Sequence, residues 1–182
     1  MPKELNIDDK RYDPTSKALH WILAVLIISM IILGWYMVST ADQPSSRIYF
    51  SLHKSCGLIV GALVLIRIVW RIKHHFIPLP QTIPLWQAML ARLIHILLYA
   101  AMILMPITGY FGSLFGQYGV AFFGWPLPQW VHQNAAISKQ LFSIHGTIVW
   151  VLVALIAFHI LAALKHLLIN KDCVFQRMWG KL

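Results

Sequence analysis

The sequence predicts an all-α membrane protein built as a bundle of four transmembrane helices that run alternately up and down. Of its 182 residues, 59% are hydrophobic and only 12% are charged, whereas a soluble domain carries about 25% charged residues. Four apolar stretches reach the ~20 residues that cross a bilayer. Lys and Arg gather at the ends of these stretches, as they do beside membrane spans.

The four spans form one transmembrane domain over residues 1–182. The motif Asp13-Pro14-Thr15-Ser16 marks the start of the first helix, because it joins side chains that cap a helix to a proline in the first turn. The predicted spans are about 18–38, 52–70, 88–111 and 142–169.

Two connections and one proline complete the predicted layout. Residues 76–87 contain three prolines, so this linker cannot be helical throughout. Pro106 lies inside the third span and predicts a kink. Residues 112–141 are rich in Gly, Pro and aromatic side chains and contain one Lys and no acidic residue. This stretch is expected to lie over the bundle at the membrane interface.

The positive charges predict the orientation. The formal net charge is +9, and twelve of the fifteen Lys and Arg residues lie in the leader, the second connection with its flanks, and the tail. The opposite side has only Arg47, Lys54 and Lys139. The bias places both termini in the cytoplasm and explains the charge without a nucleic-acid partner.

Two histidines in the last span predict a cofactor. His145 and His159 are 14 residues apart, which is about 21 Å along a helix and about 40° short of four full turns. Both imidazoles therefore leave one face at two depths. An ionisable residue inside a membrane is by default a candidate functional residue, although a single histidine is more often a hydrogen-bonded packing residue.

Each of these histidines has a predicted partner at the same depth on another helix. The direction of each span places His53 level with His145 and His20 level with His159. Two imidazoles on opposite sides of one metal, without sulfur or carboxylate, suit bis-histidine haem iron, whereas zinc takes three or four protein ligands. By depth alone, His166 could replace His159, and His95 could replace His20.

Three basic residues are candidate contacts for haem propionates. Arg67 lies 14 residues beyond His53 and so shares its face at the inner level, where a buried guanidinium needs an anion. Arg71 follows one turn later, and Lys54 adjoins His53. A snorkelling arginine and an interfacial lysine are the alternatives.

These motifs together resemble the bacterial cytochrome b561 family over nearly the whole chain. The matching residues are Leu19-His20-Trp21, His53-Lys54-Ser55-Cys56-Gly57, Arg67 with Arg71, Arg92 to Tyr99, Pro106-Ile107-Thr108-Gly109, His145-Gly146, His159 and Asn170-Lys171-Asp172. The resemblance implies two haem b groups, with His20 and His159 holding the cytoplasmic-side iron and His53 and His145 the periplasmic-side iron.

The expected function is single-electron transfer across the bacterial inner membrane, between a periplasmic-side donor and ubiquinone or another membrane quinone. In some members of the family that the chain resembles, the donor is superoxide. One alternative is a membrane anchor subunit that passes electrons from a partner dehydrogenase. An alternative of another class is a non-redox metal-binding or transport protein. No residue is assigned a catalytic role.

Overall fold

The computed structural model describes residues 11–74, 77–80 and 82–179, and these are mostly helical. Four long helices contain most of the chain: α1 (Pro14–Ser39), α2 (Ser46–Lys73), α3 (Leu85–Phe115) and α4 (Ala135–Lys165). One turn of π-helix, His166–Asn170, extends α4, and a 3-10 turn, Phe175–Arg177, follows in the tail. Within the described residues, these four helices are long and apolar enough to cross a membrane, as the sequence predicts.

The first three predicted spans each lie inside one helix, the fourth continues from α4 into the π-helical turn, and the helices begin three to seven residues earlier than the spans. The apolar run marks only the part that suits lipid, whereas capping decides where the helical backbone begins. The Asp13 side chain accepts a hydrogen bond from the Ser16 backbone N–H at the start of α1. Asn134 caps α4 in the same way, through two backbone N–H groups.

Consecutive helices run in opposite directions. Gly34 near the end of α1 adjoins His53 near the start of α2, and Gly109 near the end of α3 adjoins His145 near the start of α4. The start of α1 and the end of α4 therefore share one end of the bundle, here called the termini end. The opposite end, which carries the connection between α3 and α4, is called the hairpin end.

The apolar core lies among the first three helices. Leu23 of α1 and Val60 and Val64 of α2 form its buried centre. Pro106 lies within α3, which continues past it to Phe115. A Cβ at Gly61 would lie 3.1 Å from Pro106 Cβ, so glycine allows α2 to approach the proline ring closely.

The connection between α3 and α4 contains a short antiparallel hairpin of β1 (Ala121–Phe122) and β2 (Trp125–Pro126), in which Phe122 pairs with Trp125. Its two turn residues, Phe123 and Gly124, both have positive φ angles, of 46° and 91°. This is the backbone of the two-residue turns that match strand twist. The hairpin does not lie only over the end of the bundle, because its turn is hydrogen-bonded to Ser55, well inside α2.

The tail folds back over the termini end. His166 Nδ1 donates to the Asp172 carboxylate at 2.6 Å, which closes the turn after α4. The buried Arg177 donates to the Pro78 carbonyl at 2.6 Å, and Trp21 Nε1 donates to the Met178 carbonyl at 3.1 Å. Together these contacts join the tail to α1 and to the linker before α3.

Asp13 links two helices at the termini end. Besides capping α1, its carboxylate accepts a hydrogen bond from Trp70 Nε1 of α2 at 3.2 Å. Burial alone raises the pKa of this carboxyl, but the hydrogen bonds from Ser16 and Trp70 outweigh burial and lower the pKa below its ordinary value. Asp13 therefore stabilises the fold in its ionised form.

We expect Asp13→Ala to lower the free energy of unfolding by about 1 kcal/mol, the usual loss for an N-cap side chain. Asp13→Asn is the matched control, because asparagine caps equally well. Thermal unfolding in detergent compares the two variants. Since the folded pKa is depressed, the contribution is present above the unfolded pKa and disappears as the pH falls through the folded pKa. Equal midpoints for both variants would contradict the role of the cap.

Candidate cofactor site

Two pairs of imidazole rings face each other between helices. At the hairpin end, the ring centroids of His53 on α2 and His145 on α4 are 6.3 Å apart with an interplanar angle of 77°. At the termini end, those of His20 on α1 and His159 on α4 are 6.1 Å apart with an angle of 75°. The structure thus brings together both pairs that the sequence matches by depth.

The separation within each pair suits two ligands of one metal ion. An imidazole nitrogen binds a metal at about 2 Å, so two ligand nitrogens on opposite sides lie about 4 Å apart and their ring centroids about 6 Å apart. Both observed separations meet this value. Each pair therefore offers two imidazole nitrogens that could hold one metal ion between them.

A spacing of 14 residues organises all four helices into two levels. On each helix, one residue lies at the hairpin-end level and one at the termini-end level, just under four turns away. The hairpin-end level contains Gly34, His53, Gly109 and His145, and the termini-end level contains His20, Arg67, His95 and His159. The sequence predicts this spacing on α2 and α4, and the side-chain contacts extend it to α1 and α3.

Glycines support the imidazoles of the hairpin-end level. A Cβ at Gly34 would lie 3.2 Å from His53 Cε1, and one at Gly109 would lie 3.1 Å from His145 Cε1 and 3.3 Å from its Nδ1. These distances are tighter than ordinary van der Waals contact. Glycine at both positions therefore lets the rings lie directly against the neighbouring helix backbone.

Hydrogen bonds define which nitrogen of His145 is protonated. Its Nδ1 lies 3.0 Å from the Met105 carbonyl oxygen and 3.1 Å from Thr108 Oγ1. The Thr108 hydroxyl is 2.7 Å from the Leu104 carbonyl and can donate to it, so both atoms near Nδ1 can accept. Nδ1 therefore carries the proton and Nε2 keeps the lone pair that a metal needs. The buried Nδ1 of His53 has no hydrogen-bond partner among the described residues.

A third histidine adjoins the termini-end pair. The centroid of His95 lies 5.2 Å from that of His159, and its Nδ1 lies 2.7 Å from the Ala91 carbonyl. The sequence analysis considered His95 as a substitute for His20. The 5.2 Å separation is shorter than the ~6 Å that two imidazoles across one metal require, whereas His20 meets it.

Arg67 lies at the termini-end level with part of its charge uncompensated. Its Nε donates to the Tyr99 hydroxyl at 3.3 Å, while its buried Nη1 has no hydrogen-bond partner among the described residues. A guanidinium in such surroundings favours an anionic partner. A cavity here is lined by Tyr12, Ser16, Leu19, Arg67, Trp70, Arg71, His74, Tyr99 and Met178, so both predicted arginine contacts face one space.

The remaining basic candidates have partners within the protein. Lys54 Nζ donates to the Gly119 carbonyl at 3.0 Å, in the connection between α3 and α4. His166, the candidate substitute for His159, is hydrogen-bonded to the Asp172 carboxylate at 2.6 Å. Sequence reasoning gave no role to Tyr99 or Gly34; the 14-residue spacing could have indicated Gly34, but no sequence signal pairs Tyr99 with Arg67.

This fold and site define a class: a multi-pass membrane protein with histidine pairs between its helices, built as a membrane cytochrome b. The family model described as prokaryotic cytochrome b561 matches residues 11–181. The chain therefore belongs to the prokaryotic cytochrome b561 family, whose members bind haem b and transfer electrons in membranes.

Similar proteins match over nearly their full length. Cytochrome b561 homolog 2 of Escherichia coli (strain K12) is 31% identical over 177 residues, covering 94% of this chain and 93% of that protein. Cytochrome b561 homolog 1 of the same organism is 30% identical, covering 92% and 96%. The probable superoxide oxidase CybB of Yersinia pestis is 26% identical over 183 residues, covering 94% and 97%.

The space at the Cβ position predicts different effects on stability for Gly109→Ala and Gly146→Ala. Gly→Ala within a helix normally stabilises by roughly 0.5–1 kcal/mol. Gly146 has open space at its Cβ position, so Gly146→Ala should give this gain. Gly109→Ala should not give this gain in stability, because the added methyl group displaces the His145 ring. Thermal unfolding in detergent tests the difference, and a similar stabilisation by both variants would mean that the ring moves freely.

Proposed function

We propose that this protein is a di-haem b cytochrome that carries single electrons across the bacterial inner membrane. The observation that carries the proposal is the presence of two imidazole pairs, at 6.1 and 6.3 Å, on helices long enough to cross a bilayer. In this proposal His20 and His159 hold one haem iron, and His53 and His145 hold the other. Each iron supplies a one-electron ferric–ferrous couple.

The helices supply position and hydrogen bonds. His145 and His159 belong to α4, so one helix contributes a ligand at each level, about 21 Å apart. The Met105 carbonyl and the Thr108 hydroxyl hold Nδ1–H of His145 and increase the basicity of the ligand nitrogen. Arg67 and Arg71 balance propionate charge at the termini-end level. Lys54 would add a propionate contact only by giving up its bond to Gly119.

The orientation follows from the distribution of Lys and Arg. With twelve of fifteen on the termini side, both termini lie in the cytoplasm. The pair His20–His159 then faces the cytoplasmic side and the pair His53–His145 the periplasmic side. Electrons entering near the hairpin end cross most of the bilayer along α4.

For the electron donor we propose superoxide, and for the acceptor the membrane quinone pool, such as ubiquinone. The support is the name of the Yersinia pestis relative, probable superoxide oxidase, together with the exposed basic residues Arg47 and Lys139 and few acids at the hairpin end. Such a surface steers small anions. The reaction balances when two superoxide anions lose one electron each to one quinone, which takes up two protons as quinol.

A second candidate function is a membrane anchor subunit that passes electrons from a partner dehydrogenase. The observation in its favour is the tail, in which Arg177 donates to the Pro78 carbonyl and so joins the tail to the linker before α3. The third alternative, a non-redox metal site, has less support. Among the described residues no cluster of three or more His, Cys, Asp or Glu side chains is arranged to hold a metal ion.

Substitution of the histidines tests the haem assignment. We expect His20→Ala and His159→Ala each to remove the same haem, and His53→Ala and His145→Ala each to remove the other, because each change would take away one of the two imidazoles that would hold that haem. Pyridine haemochrome counts per chain should fall from two to one. Reduced-minus-oxidised spectra identify which component is lost.

Two neighbouring histidines provide the controls. His95→Ala and His166→Ala should both retain two haems. Loss of the termini-end haem in either variant would show that the altered histidine, and not the proposed one, is a ligand of that iron. A count of one haem in the unaltered protein, with His53 or His145 dispensable for it, would rule out the two-level proposal.

Purification distinguishes the proposed functions. The protein isolated alone in mild detergent should reduce added ubiquinone when superoxide is generated enzymatically, and its haem should be reduced transiently. Superoxide dismutase is the control, since it removes the donor and should abolish quinol formation. If the protein instead co-purifies stoichiometrically with a dehydrogenase and takes electrons only from it, the anchor function is correct.

A further inference from the structure

We propose that the hairpin between α3 and α4 is a re-entrant segment, immersed in the bilayer leaflet at the hairpin end with its aromatic side chains against lipid. For this purpose the aromatic hairpin is defined as residues 119–127. The proposal depends on the transmembrane helices and not on the proposed electron-transfer function. A cap would lie on the membrane surface, whereas a re-entrant hairpin extends into the hydrocarbon.

The depth follows from the contact with α2. The Phe123 backbone N–H donates to Ser55 Oγ at 2.9 Å, and Ser55 is fully buried. Ser55 lies nine residues beyond the first residue of α2, about 13 Å along the helix. The turn therefore reaches far below the end of the bundle, beside the level of His53.

The charged residues of α2 indicate where the bilayer lies along this helix. The hydrocarbon core is about 30 Å thick, or about 20 helical residues. Centred midway between His53 and Arg67, it extends from about residue 50 to about residue 70, which leaves Arg71 and Lys73 outside. Ser55 then lies about five residues, or roughly 7 Å, inside the hydrocarbon boundary.

Several backbone groups of the hairpin have the protein partners that such a position requires. Non-helical backbone at membrane depth must have its hydrogen bonds satisfied by protein. Besides the β1–β2 pairing, the Leu127 N–H donates to the Val120 carbonyl at 2.9 Å. Lys54 donates to the Gly119 carbonyl, and the Ser55 hydroxyl lies 3.5 Å from the Ala121 carbonyl. Lys54 and Ser55 of α2 thus contact backbone polar groups of the hairpin that the β1–β2 pairing does not satisfy.

The outer surface of the hairpin suits lipid better than water. The Trp125 side chain is 80% exposed, and Phe122 and Phe123 are also exposed. The sequence contains no Asp, Glu, Lys or Arg between Arg92 and Lys139. Trp and other aromatic side chains concentrate where a membrane changes from hydrocarbon to headgroups. A soluble partner protein would have to bind above that boundary, not at the depth of Ser55.

The anchoring residues directly follow His53 in the sequence. Lys54 and Ser55 hold the hairpin, which therefore contacts α2 one and two residues after His53. It also gives the Lys54 ammonium group a carbonyl partner at a depth where an unpaired charge is costly.

Collision measurements on a spin label test the depth. Cys56→Ser and Cys173→Ser remove the native thiols, and Trp125→Cys receives a nitroxide, in haem-loaded protein reconstituted into liposomes. Oxygen partitions into lipid, and a charge-neutral nickel chelate stays in water. Ala41→Cys, in the exposed connection between α1 and α2, is the water reference, and Leu65→Cys, on an exposed apolar position of α2, is the lipid reference.

We expect the ratio of oxygen to nickel accessibility at residue 125 to lie close to the lipid reference. A label at Tyr118→Cys, nearer the end of α3, should give a value between residue 125 and the water reference. Adding Ser55→Ala should release the turn and shift the ratio at residue 125 towards water. A ratio at residue 125 equal to the water reference overturns the proposal. Low accessibility to both reagents also overturns it, since a protein surface then covers the hairpin.

Discussion

The structure depends on one helical constraint, which is that 14 residues complete almost four turns. Any two side chains separated by this number leave a helix on nearly the same face, about 21 Å apart. Applied to four antiparallel helices, the spacing creates two levels that face a common interior. At one level the helices present His53 and His145 with two glycines, and at the other His20 and His159 with a third histidine and an arginine. His53 and His145 lie on helices that run in the same direction and His20 and His159 on helices that run in opposite directions, and both pairs reach the separation of two ligands of one metal.

The second constraint is the cost of polar groups in hydrocarbon. Every polar atom that the bundle places at membrane depth needs a partner within the protein. The Thr108 hydroxyl and the Met105 carbonyl serve His145, and Tyr99 serves one nitrogen of Arg67. Lys54 and Ser55 serve the hairpin backbone. The guanidinium of Arg67 retains a buried nitrogen without a partner among the described residues, which is why an anionic group at this level suits the protein.

Most of the fold and part of the site could be predicted from the sequence. Apolar length predicts four helices, and the order of the helices predicts which histidines are level with each other, because rise per residue is the same in every α-helix. The start of the first helix was predicted at Asp13-Pro14-Thr15-Ser16 and is confirmed, whereas the start of α4 lies seven residues before the predicted span, where Asn134 caps it. The connection between α3 and α4 was predicted to lie over the bundle, but its turn descends along α2, held by a serine that no local pattern distinguishes.

The sequence by itself determined the class of protein, the four spans and the two histidine pairs, because hydrophobicity and helical periodicity are local properties that every residue carries wherever the helix packs. Only the tertiary structure decided which side chains meet across helices. It places the His95 ring 5.2 Å from that of His159, engages Lys54 with the Gly119 carbonyl and joins His166 to Asp172 by a hydrogen bond. Such contacts depend on the rotation and separation of neighbouring helices, which the sum of many packing interactions sets and no single segment encodes.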